Sequence, residues 1–321
     1  MRALYFGTYD RDHPRNVNAI AALRAAGVEV VERQVPVRRG GWRGALGVLG
    51  VETRLSAPQG RDFDVVIVGY PGHFDVPRAR RVARNHRLVF DAVLSLEDEL
   101  VEVRSRFRAR SAAATVLRAV DARALRLPDL VVCGTQAEAA YLEELGAGTT
   151  AVIFLGSDED VFCETWAPAY PFSALHVADR SHEVVEAAAE LVPEVPVRIV
   201  DASELAAHDR GLAFAHAGIV LGGFRESRAI PAAVFDALAT GAPVVTADTA
   251  AARELLDDDS AVLVPPEDAG AVAAAVRSLA TDEERRRSIA ARGKQVYAER
   301  ASRHVLGERW RAALHGDALR E

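Results

Sequence analysis

Residues 221–245, LGGFRESRAIPAAVFDALATGAPVV, decide the fold, because they read as a loop, a helix and a strand. The loop begins with Gly222 and Gly223, and Pro231 stands where the first turn of a helix accepts proline. The next apolar residues have helical spacing, Gly241 ends the predicted helix, and a buried strand follows. A glycine-rich turn that leads into a helix N-terminus is suited to an anion, because backbone N–H groups and the helix dipole point toward it.

Asp236 lies one turn into the predicted helix, and its carboxylate could bind hydroxyl groups. A phosphate at the start of the helix and a diol on its flank would together describe a sugar nucleotide. The stretch alone is also compatible with a plain strand-to-helix turn that carries an exposed polar residue. Both interpretations stay open on these residues alone.

Length and composition limit the class of protein. A chain of 321 residues is too long for most single cores, so two domains are expected. A net charge of −7 argues against sequence-independent binding to nucleic acid. The two cysteines, Cys133 and Cys163, make no disulfide framework, and we expect a reducing cytoplasm. The N-terminal segment lacks the pattern of a signal peptide, and no apolar run reaches the roughly 18 residues of a membrane-spanning helix.

Strands and helices alternate along the sequence, and the periodicity lapses at 156–171, where Gly, Asp and Pro gather. A linker is predicted at 158–171. The pattern predicts an α/β protein with two Rossmann-like domains that face each other across a cleft. We expect the first domain at 1–157, the second at 172–302, and a C-terminal helix at 303–321. The alternation alone also fits a periplasmic binding protein or another two-domain α/β enzyme, although the missing signal peptide disfavours the former.

Several motifs resemble family 4 glycosyltransferases, and they cover nearly the whole chain in the right order. Four motifs resemble the N-terminal domain and hinge of that family: FGTYDRDHPRN (6–16), DVVIVGYPGHFDVP (64–77), VFDAVLSLEDELVE (89–102) and FLGSDEDVF (154–162). Two motifs resemble its donor-binding domain: RAIPAAVFDALATGAPVVTADTAAARELL (228–256) and LVPPED (263–268).

The resemblance implies a GT-B fold, a nucleotide-activated sugar donor and retaining transfer without an obligatory metal. It also implies that the second domain holds the donor, that the first holds the acceptor, and that the last helix crosses back to the first domain. Asp236 falls where the family usually has a glutamate that holds the ribose hydroxyls. Arg228 lies eight residues earlier, where a subset with an RxIP-type sequence carries arginine.

The predicted donor domain departs from the family pattern at its phosphate site. In the segment 174–183, ALHVADRSHE, the family usually offers two basic residues, and here only Arg180 is present. Ala232 and Ala233 fall where the related subset often has a polar residue and a lysine. The region 193–217 also looks shortened, so the resemblance is to an atypical donor-binding domain.

Glycosyl transfer places negative charge on the departing diphosphate, and a cation, a helix N-terminus or a metal must stabilise it. The single lysine, Lys294, lies in a predicted C-terminal helix, so a protein clamp must be built from arginine. No metal-ligand set is evident in the sequence. The predicted donor-binding residues are Arg180, Gly222, Gly223, Arg225, Arg228 and Asp236.

The loop after the first strand is expected at the mouth of the ligand-binding cleft. It offers residues for the acceptor or for a donor phosphate, although a capped surface loop is an equally simple interpretation. These residues are Asp10, Arg11, Arg15 and Asn16.

Two residues at the ends of later strands are candidates for catalysis. His73 could act as a general base or an oxyanion partner, and Asp91 could orient or activate an acceptor hydroxyl. The arginines between 104 and 126 and the segment 38–44, RRGGWRG, could contact an anionic membrane surface, but such a run is more often a solvated helix face.

These observations predict a cytoplasmic and at most membrane-peripheral retaining glycosyltransferase. It would move a sugar from a nucleoside-diphosphate-sugar donor to a hydroxyl or amine of a small-molecule or lipid-linked acceptor, with no cofactor, metal or nucleic acid. One alternative is a non-catalytic relative that acts as a binding or partner subunit. Another is an enzyme of the same fold with an unusual donor. The motifs do not identify the sugar, the base, the acceptor or the oligomeric state.

Overall fold

A computed structural model of the protein describes residues 1–35, 63–93, 95 and 111–316. The segment 38–44 and the arginines between 104 and 110 lie outside the described residues, so the membrane-surface hypothesis stays a prediction. The chain divides into two compact units. Unit 1 contains Met1–Phe154 together with Leu306–Glu321, and unit 2 contains Leu155–Val305.

Unit 1 is built on a six-stranded parallel sheet with the strand order β2-β1-β3-β4-β5-β6. The central strands are continuous apolar runs, which is typical of a sheet covered on both faces. Its strands are β1 (Arg2–Gly7), β2 (Glu29–Gln34), β3 (Val65–Val68), β4 (Arg87–Asp91), β5 (Leu130–Cys133) and β6 (Thr150–Val152). Its helices are α1 (Pro14–Ala25), α2 (Val76–Ala83), α3 (Ala112–Arg126), α4 (Gln136–Glu144) and most of α11 (Arg303–His315).

Unit 2 is built on a five-stranded parallel sheet with the strand order β11-β10-β9-β7-β8. Its strands are β7 (Ala174–Val177), β8 (Val197–Val200), β9 (Ile219–Leu221), β10 (Val244–Ala247) and β11 (Val262–Val264). Its helices are α5 (His182–Leu191), α6 (Ala207–His216), α7 (Ala232–Thr240), α8 (Ala250–Arg253), α9 (Ala269–Thr281) and α10 (Glu283–Arg300).

Each sheet has one topological switch point, where chain connections leave toward opposite edges. In unit 1, β1 pairs with both β2 and β3, and in unit 2, β7 pairs with both β8 and β9. Open parallel sheets bind ligands beyond the carboxyl ends of the strands at such a point. The loops that follow β1, β3, β7 and β9 are therefore the places to look for a functional site.

The predicted loop, helix and strand at 221–245 are present as β9, α7 and β10. Pro231 precedes α7 as its N-cap residue, and Gly241 closes the helix with a left-handed φ of 81°. Gly241 suits this position because a residue without Cβ adopts positive φ without strain. The four residues of β10 are buried, as expected for the interior of a parallel sheet.

The segment before β9 forms α6, a helix of ten residues. Gly211 lies in the middle of α6, where a Cβ would collide with the carbonyl oxygen of Val161. The glycine weakens the helical signal in the sequence, and this close packing explains its presence.

The helix α11 packs on α1 within unit 1. A Cβ on Gly307 would lie 2.5 Å from the carbonyl oxygen of Ala22, so the glycine permits a close approach of the two helices. Trp310 is 1% exposed and lies over the guanidinium of Arg15, 5.9 Å from its central carbon. The apolar face of α11 therefore completes the covering of the first sheet. Among the described residues, no helix combines the length and apolarity needed to cross a membrane.

Candidate functional site

The loops that follow β7 and β9 meet at the switch point of unit 2. Arg225 Nη1 donates a hydrogen bond of 3.3 Å to the carbonyl of Arg180, which joins the two loops. Thr246 Oγ1, on β10, donates to the carbonyl of Gly223 at 3.0 Å. The structure therefore brings together the predicted residues Arg180, Gly223 and Arg225.

Neither of the two glycines in the β9 loop can carry a side chain. A Cβ on Gly222 would lie 2.9 Å from Thr246 Oγ1 and 3.0 Å from Val234 Cγ2. A Cβ on Gly223 would lie 2.8 Å from Pro231 Cγ. Such distances are shorter than normal carbon contacts, so the backbone of this loop is packed directly against β10 and the start of α7.

The three arginines predicted for the donor are all exposed: Arg180, Arg225 and Arg228. Arg225 Nε also lies 3.6 Å from Glu267 Oε1, in the loop that follows β11. Glu267 has a φ of 60°, which is uncommon for a residue other than glycine. Its backbone N–H donates to the carbonyl of Phe224 at 2.7 Å, which fixes the β11 loop against the β9 loop.

A carboxylate, Asp179, occupies the loop between β7 and α5. Its Oδ1 accepts hydrogen bonds from the backbone and the hydroxyl of Ser181, at 2.7 and 2.5 Å. The buried imidazole of His176 places Nε2 3.4 Å from the same oxygen. Burial alone would raise the pKa of Asp179, but the donors on His176 and Ser181 outweigh it and hold the pKa below its usual value.

Asp236 is half-buried on α7, one turn beyond Pro231. Ser157 Oγ donates a hydrogen bond of 2.6 Å to its Oδ1. Burial raises the pKa of Asp236 to about 7, although the bond from Ser157 and the positive charge of Arg210 act in the opposite direction. The carboxyl group is therefore close to half-ionised at neutral pH.

The loops that follow β1 and β3 meet at the switch point of unit 1. Asn16 joins them, because its Nδ2 donates to the carbonyls of Asp10 and Tyr70 while its Oδ1 accepts from the backbone of Tyr70. Asp75 accepts from the backbone and the hydroxyl of Thr8 at 2.7 and 2.9 Å. Asn16 is fully buried, and its polar groups are committed to holding the loops. Asn16 therefore holds the two loops together, and its predicted contact with a ligand stays a prediction.

Arg15 and Asp91 form a buried ion pair. Arg15 Nε donates to both carboxylate oxygens at 2.8 and 3.0 Å, and Nη2 lies 2.8 Å from Oδ1. Arg15 Nη1 also donates to the carbonyls of Ile153 and Phe154, at 2.7 and 3.2 Å. Burial opposes the charge on Arg15, but Asp91 outweighs it and raises the pKa of the guanidinium. The pair holds α1 against the ends of β4 and β6, and the predicted roles of Arg15 in ligand binding and of Asp91 in catalysis stay predictions.

His73 is 2% exposed and also lies in the interior of unit 1. Its Nε2 is 3.7 Å from Asp121 Oδ1, and its ring packs edge-on against Phe90. The predicted catalytic role of His73 stays a prediction. The predicted acceptor residues at the surface are Asp10, which is half-buried, and Arg11, whose Nη2 lies 3.1 Å from Glu32 Oε1.

Sequence reasoning missed four residues around the switch point of unit 2 and α7: His176, Asp179, Ser157 and Glu267. The last two lie in motifs that were singled out, FLGSDEDVF and LVPPED, but neither motif indicates which side chain contacts the β9 loop or α7. Asp179 directly precedes Arg180, the one basic residue of the segment 174–183. Its signal is the Asp-x-Ser pattern, which favours a turn at the start of a helix.

Comparisons with known proteins identify the fold. Residues 180–315 match the family model described as "Glycosyl transferase-like". Sucrose-phosphate synthase from Thermosynechococcus elongatus superposes with a TM-score of 0.70 at 15% identity, over 98% of each chain. HepE from Anabaena in complex with UDP-glucose superposes with a TM-score of 0.69 at 15% identity, over 98% of this chain and all of HepE.

A third structure, a glycosyltransferase from Rickettsia africae, gives a TM-score of 0.63 at 10% identity over 98% of each chain. A comparison with curated proteins gives no match. The predicted fold and the predicted class of enzyme are confirmed at the level of these matches, which do not single out family 4. The chain thus has the GT-B fold of glycosyltransferases, and its residues 180–315 match a glycosyl transferase-like family model.

Proposed function

We propose that the protein is a retaining glycosyltransferase that uses a nucleoside-diphosphate sugar as donor. One observation carries the proposal. At the switch point of unit 2, a glycine turn without room for side chains lies beside exposed arginines, at the N-terminus of α7. Backbone N–H groups, arginines and a helix N-terminus are the groups that bind phosphates in proteins.

Each predicted donor residue has a role in this proposal. Arg180, Arg225 and Arg228 bind the diphosphate, and the turn at Gly222 and Gly223 lets it approach the backbone. Asp236 binds the ribose hydroxyls from the flank of α7. Its distance of one helical turn from Pro231 supports this role, because one turn rises about 5.4 Å along the helix.

The reaction transfers the anomeric carbon from phosphate to acceptor. The bond between this carbon and the phosphate oxygen breaks, and its electron pair leaves with the nucleoside diphosphate. A hydroxyl or amine of the acceptor forms the new bond to this carbon, and its proton passes to the departing diphosphate oxygen. The arginines stabilise the charge that develops on the leaving diphosphate, which lowers the barrier without a metal. Retention of configuration rests on the sequence resemblance.

The acceptor is the least defined part of the proposal. We assign its binding to unit 1, where Asp10 and Arg11 lie at the surface of the loop after β1. Asn16, Arg15 and Asp91 support that loop and the neighbouring strands from the interior. A small-molecule or lipid-linked hydroxyl or amine is the proposed acceptor class.

The structural neighbours support the choice of donor. HepE is described in complex with UDP-glucose and with UDP and glucose, and its fold matches this chain over its whole length. A uridine donor is therefore the first to try. The proposed compartment is the cytoplasm, where the free thiols of Cys133 and Cys163 are the expected state of cysteine.

Isothermal titration with the common nucleoside diphosphates and their glucose conjugates tests the donor. Arg228→Ala should weaken nucleotide binding about tenfold or more, since hydrogen bonds to charged groups contribute about 1.5–3 kcal/mol. Arg287→Ala is the matched control, because Arg287 is an exposed arginine that pairs with Glu283 on α10. Unchanged affinity in the Arg228 variant would remove this residue from the phosphate site, and a wild-type protein that binds no nucleotide would contradict the proposal.

A further inference from the structure

Asp179 presents one carboxylate oxygen to the donor site while the other is held in place. The two hydrogen bonds from Ser181 and the contact with His176 all reach Oδ1. Oδ2 points toward the β9 loop and lies 3.2 Å from the position that a Cβ on Gly223 would occupy. The side chain is 39% exposed, and since Oδ1 already accepts two hydrogen bonds from Ser181, Oδ2 is the oxygen left for a ligand on the glycine turn.

His176 fixes the direction of the Asp179 carboxylate from the interior of unit 2. Its Nδ1 is 2.9 Å from the carbonyl of Leu221, and since a carbonyl only accepts, Nδ1 carries a hydrogen. Nε2 lies 3.4 Å from Asp179 Oδ1. The imidazole is 1% exposed and spans the ends of β7 and β9. Asp179 is therefore anchored to both strands of the switch point.

A carboxylate at this place recognises a different part of the donor from the arginines. An ionised carboxylate repels a phosphate because both are negatively charged. It binds hydroxyl groups because it only accepts hydrogen bonds. The donors on His176 and Ser181 keep Asp179 ionised at neutral pH. A nucleotide sugar supplies hydroxyl groups next to its diphosphate, on the sugar that is to be transferred.

We propose that Asp179 is a specificity residue for the donor sugar, whose Oδ2 accepts a hydrogen bond from a hydroxyl group of that sugar. The inference rests on the proposed function and deepens it. It predicts that Asp179 contributes to the binding of the nucleotide sugar and not to the binding of the free nucleoside diphosphate. This separates its role from that of Arg180, Arg225 and Arg228.

The chain contains a matched control for this residue. Asp201 follows β8, the neighbouring strand, and its Oδ1 accepts from the backbone and the hydroxyl of Ser203 at 2.8 and 2.7 Å. The Asp-x-Ser turn is therefore the same. Asp201 differs because it follows the edge strand β8, away from the β9 loop. Asp201→Asn changes the same local chemistry without changing the switch point.

The experiment measures the affinities of wild type, Asp179→Asn and Asp201→Asn for UDP and UDP-glucose by titration calorimetry. Asparagine keeps an oxygen for Ser181, but it replaces the free acceptor with an NH₂ donor. We expect Asp179→Asn to bind UDP-glucose about tenfold more weakly and to bind UDP at least as well as wild type does. Asp201→Asn should match wild type with both ligands. If Asp179→Asn has a lower melting temperature than wild type, Asp179→Ser, which retains a capping oxygen, replaces it in the titrations.

Different failures have different meanings. Equal losses for UDP and UDP-glucose, or no loss for UDP-glucose, would overturn the role of Asp179 while the proposed donor class stands. A loss of the same size in Asp201→Asn would also overturn it. If wild type binds none of the nucleoside diphosphates or their sugar conjugates, both this inference and the proposed function fail.

Discussion

Asp236 shows at the scale of one residue how burial changes the chemistry of a side chain. Its carboxyl group lies half-buried on α7, with Ser157 Oγ as its close hydrogen-bond donor. The nearest opposing charge is Arg210, and Asp158 adds a repulsive one. Burial therefore disfavours the charged form of this carboxyl group. Ionising it in the folded protein lowers the free energy of unfolding.

The sign of this effect follows from the two pKa values. The pKa of Asp236 is about 7 in the folded state and near the ordinary aspartate value of 3.8 in the unfolded state. Between these values the folded protein binds more protons, so the free energy of unfolding falls as the pH rises from about 4 to 7. We expect Asp236→Asn to remove up to about 4 kcal/mol of this dependence.

Urea denaturation at pH 5 and pH 8 measures the effect. The wild-type protein should lose more stability between these two values than Asp236→Asn does, and Asp201→Asn should behave as wild type does. If the asparagine variant shows the full wild-type dependence on pH, the folded pKa of Asp236 is not raised.

At the scale of secondary-structure elements, the pair of Arg15 and Asp91 connects parts that are far apart in sequence. Arg15 lies on α1 and Asp91 ends β4, while the carbonyls of Ile153 and Phe154 follow β6. Trp310 of α11 covers the guanidinium. A single side chain thus fastens α1, two strand ends and α11 within unit 1.

We expect Arg15→Met and Asp91→Asn each to destabilise the protein by about 3–5 kcal/mol, because each leaves a buried polar partner uncompensated. The double variant Arg15→Met, Asp91→Leu should recover much of this loss. Chemical denaturation measures all three variants. Arg277→Ala, which breaks an exposed pair with Glu194, is the control and should leave unfolding nearly unchanged. Stabilities of the single variants close to wild type would contradict the buried-pair account.

The sequence predicted the elements better than it predicted their contacts. The β9 loop, α7 and β10 were predicted because glycine, proline and periodic apolar residues act locally. The partners of Arg15 could not be predicted, because the pair with Asp91 joins residues 76 positions apart. Similarly, His73 follows β3 and Asp91 ends β4, but only the packing of unit 1 determines that both side chains face its interior.

At the scale of the whole molecule, the choice of basic residue has a chemical consequence. The chain contains one lysine, Lys294, whose Cδ lies 3.0 Å from the position of a Cβ on Gly241 and away from the carboxyl ends of the strands. The exposed cations at the switch point of unit 2 are arginines. A reagent that modifies arginine and a reagent that modifies lysine should therefore have different effects on the proposed phosphate binding.

We expect phenylglyoxal, which modifies arginine, to abolish nucleotide binding, and we expect bound UDP to protect against it. Reductive methylation, which modifies lysine and the N-terminal amine, should leave the affinity for UDP within about twofold, a difference of roughly 0.4 kcal/mol. Lys294→Arg is the control for an effect of the single lysine. Loss of nucleotide binding on methylation of wild type, but not of this variant, would place Lys294 in the binding function.

The packing of α11 on α1 has a consequence for biosynthesis. Residues 1–154 and residues 306–321 belong to one compact unit, with the whole of unit 2 between them in the sequence. A ribosome therefore releases all of unit 2 before it releases the helix that carries Gly307 and Trp310. Until that moment the nascent first unit lacks the cover over Arg15, although its sheet is already synthesised. Unit 1 is thus completed only after the whole of unit 2 has been synthesised.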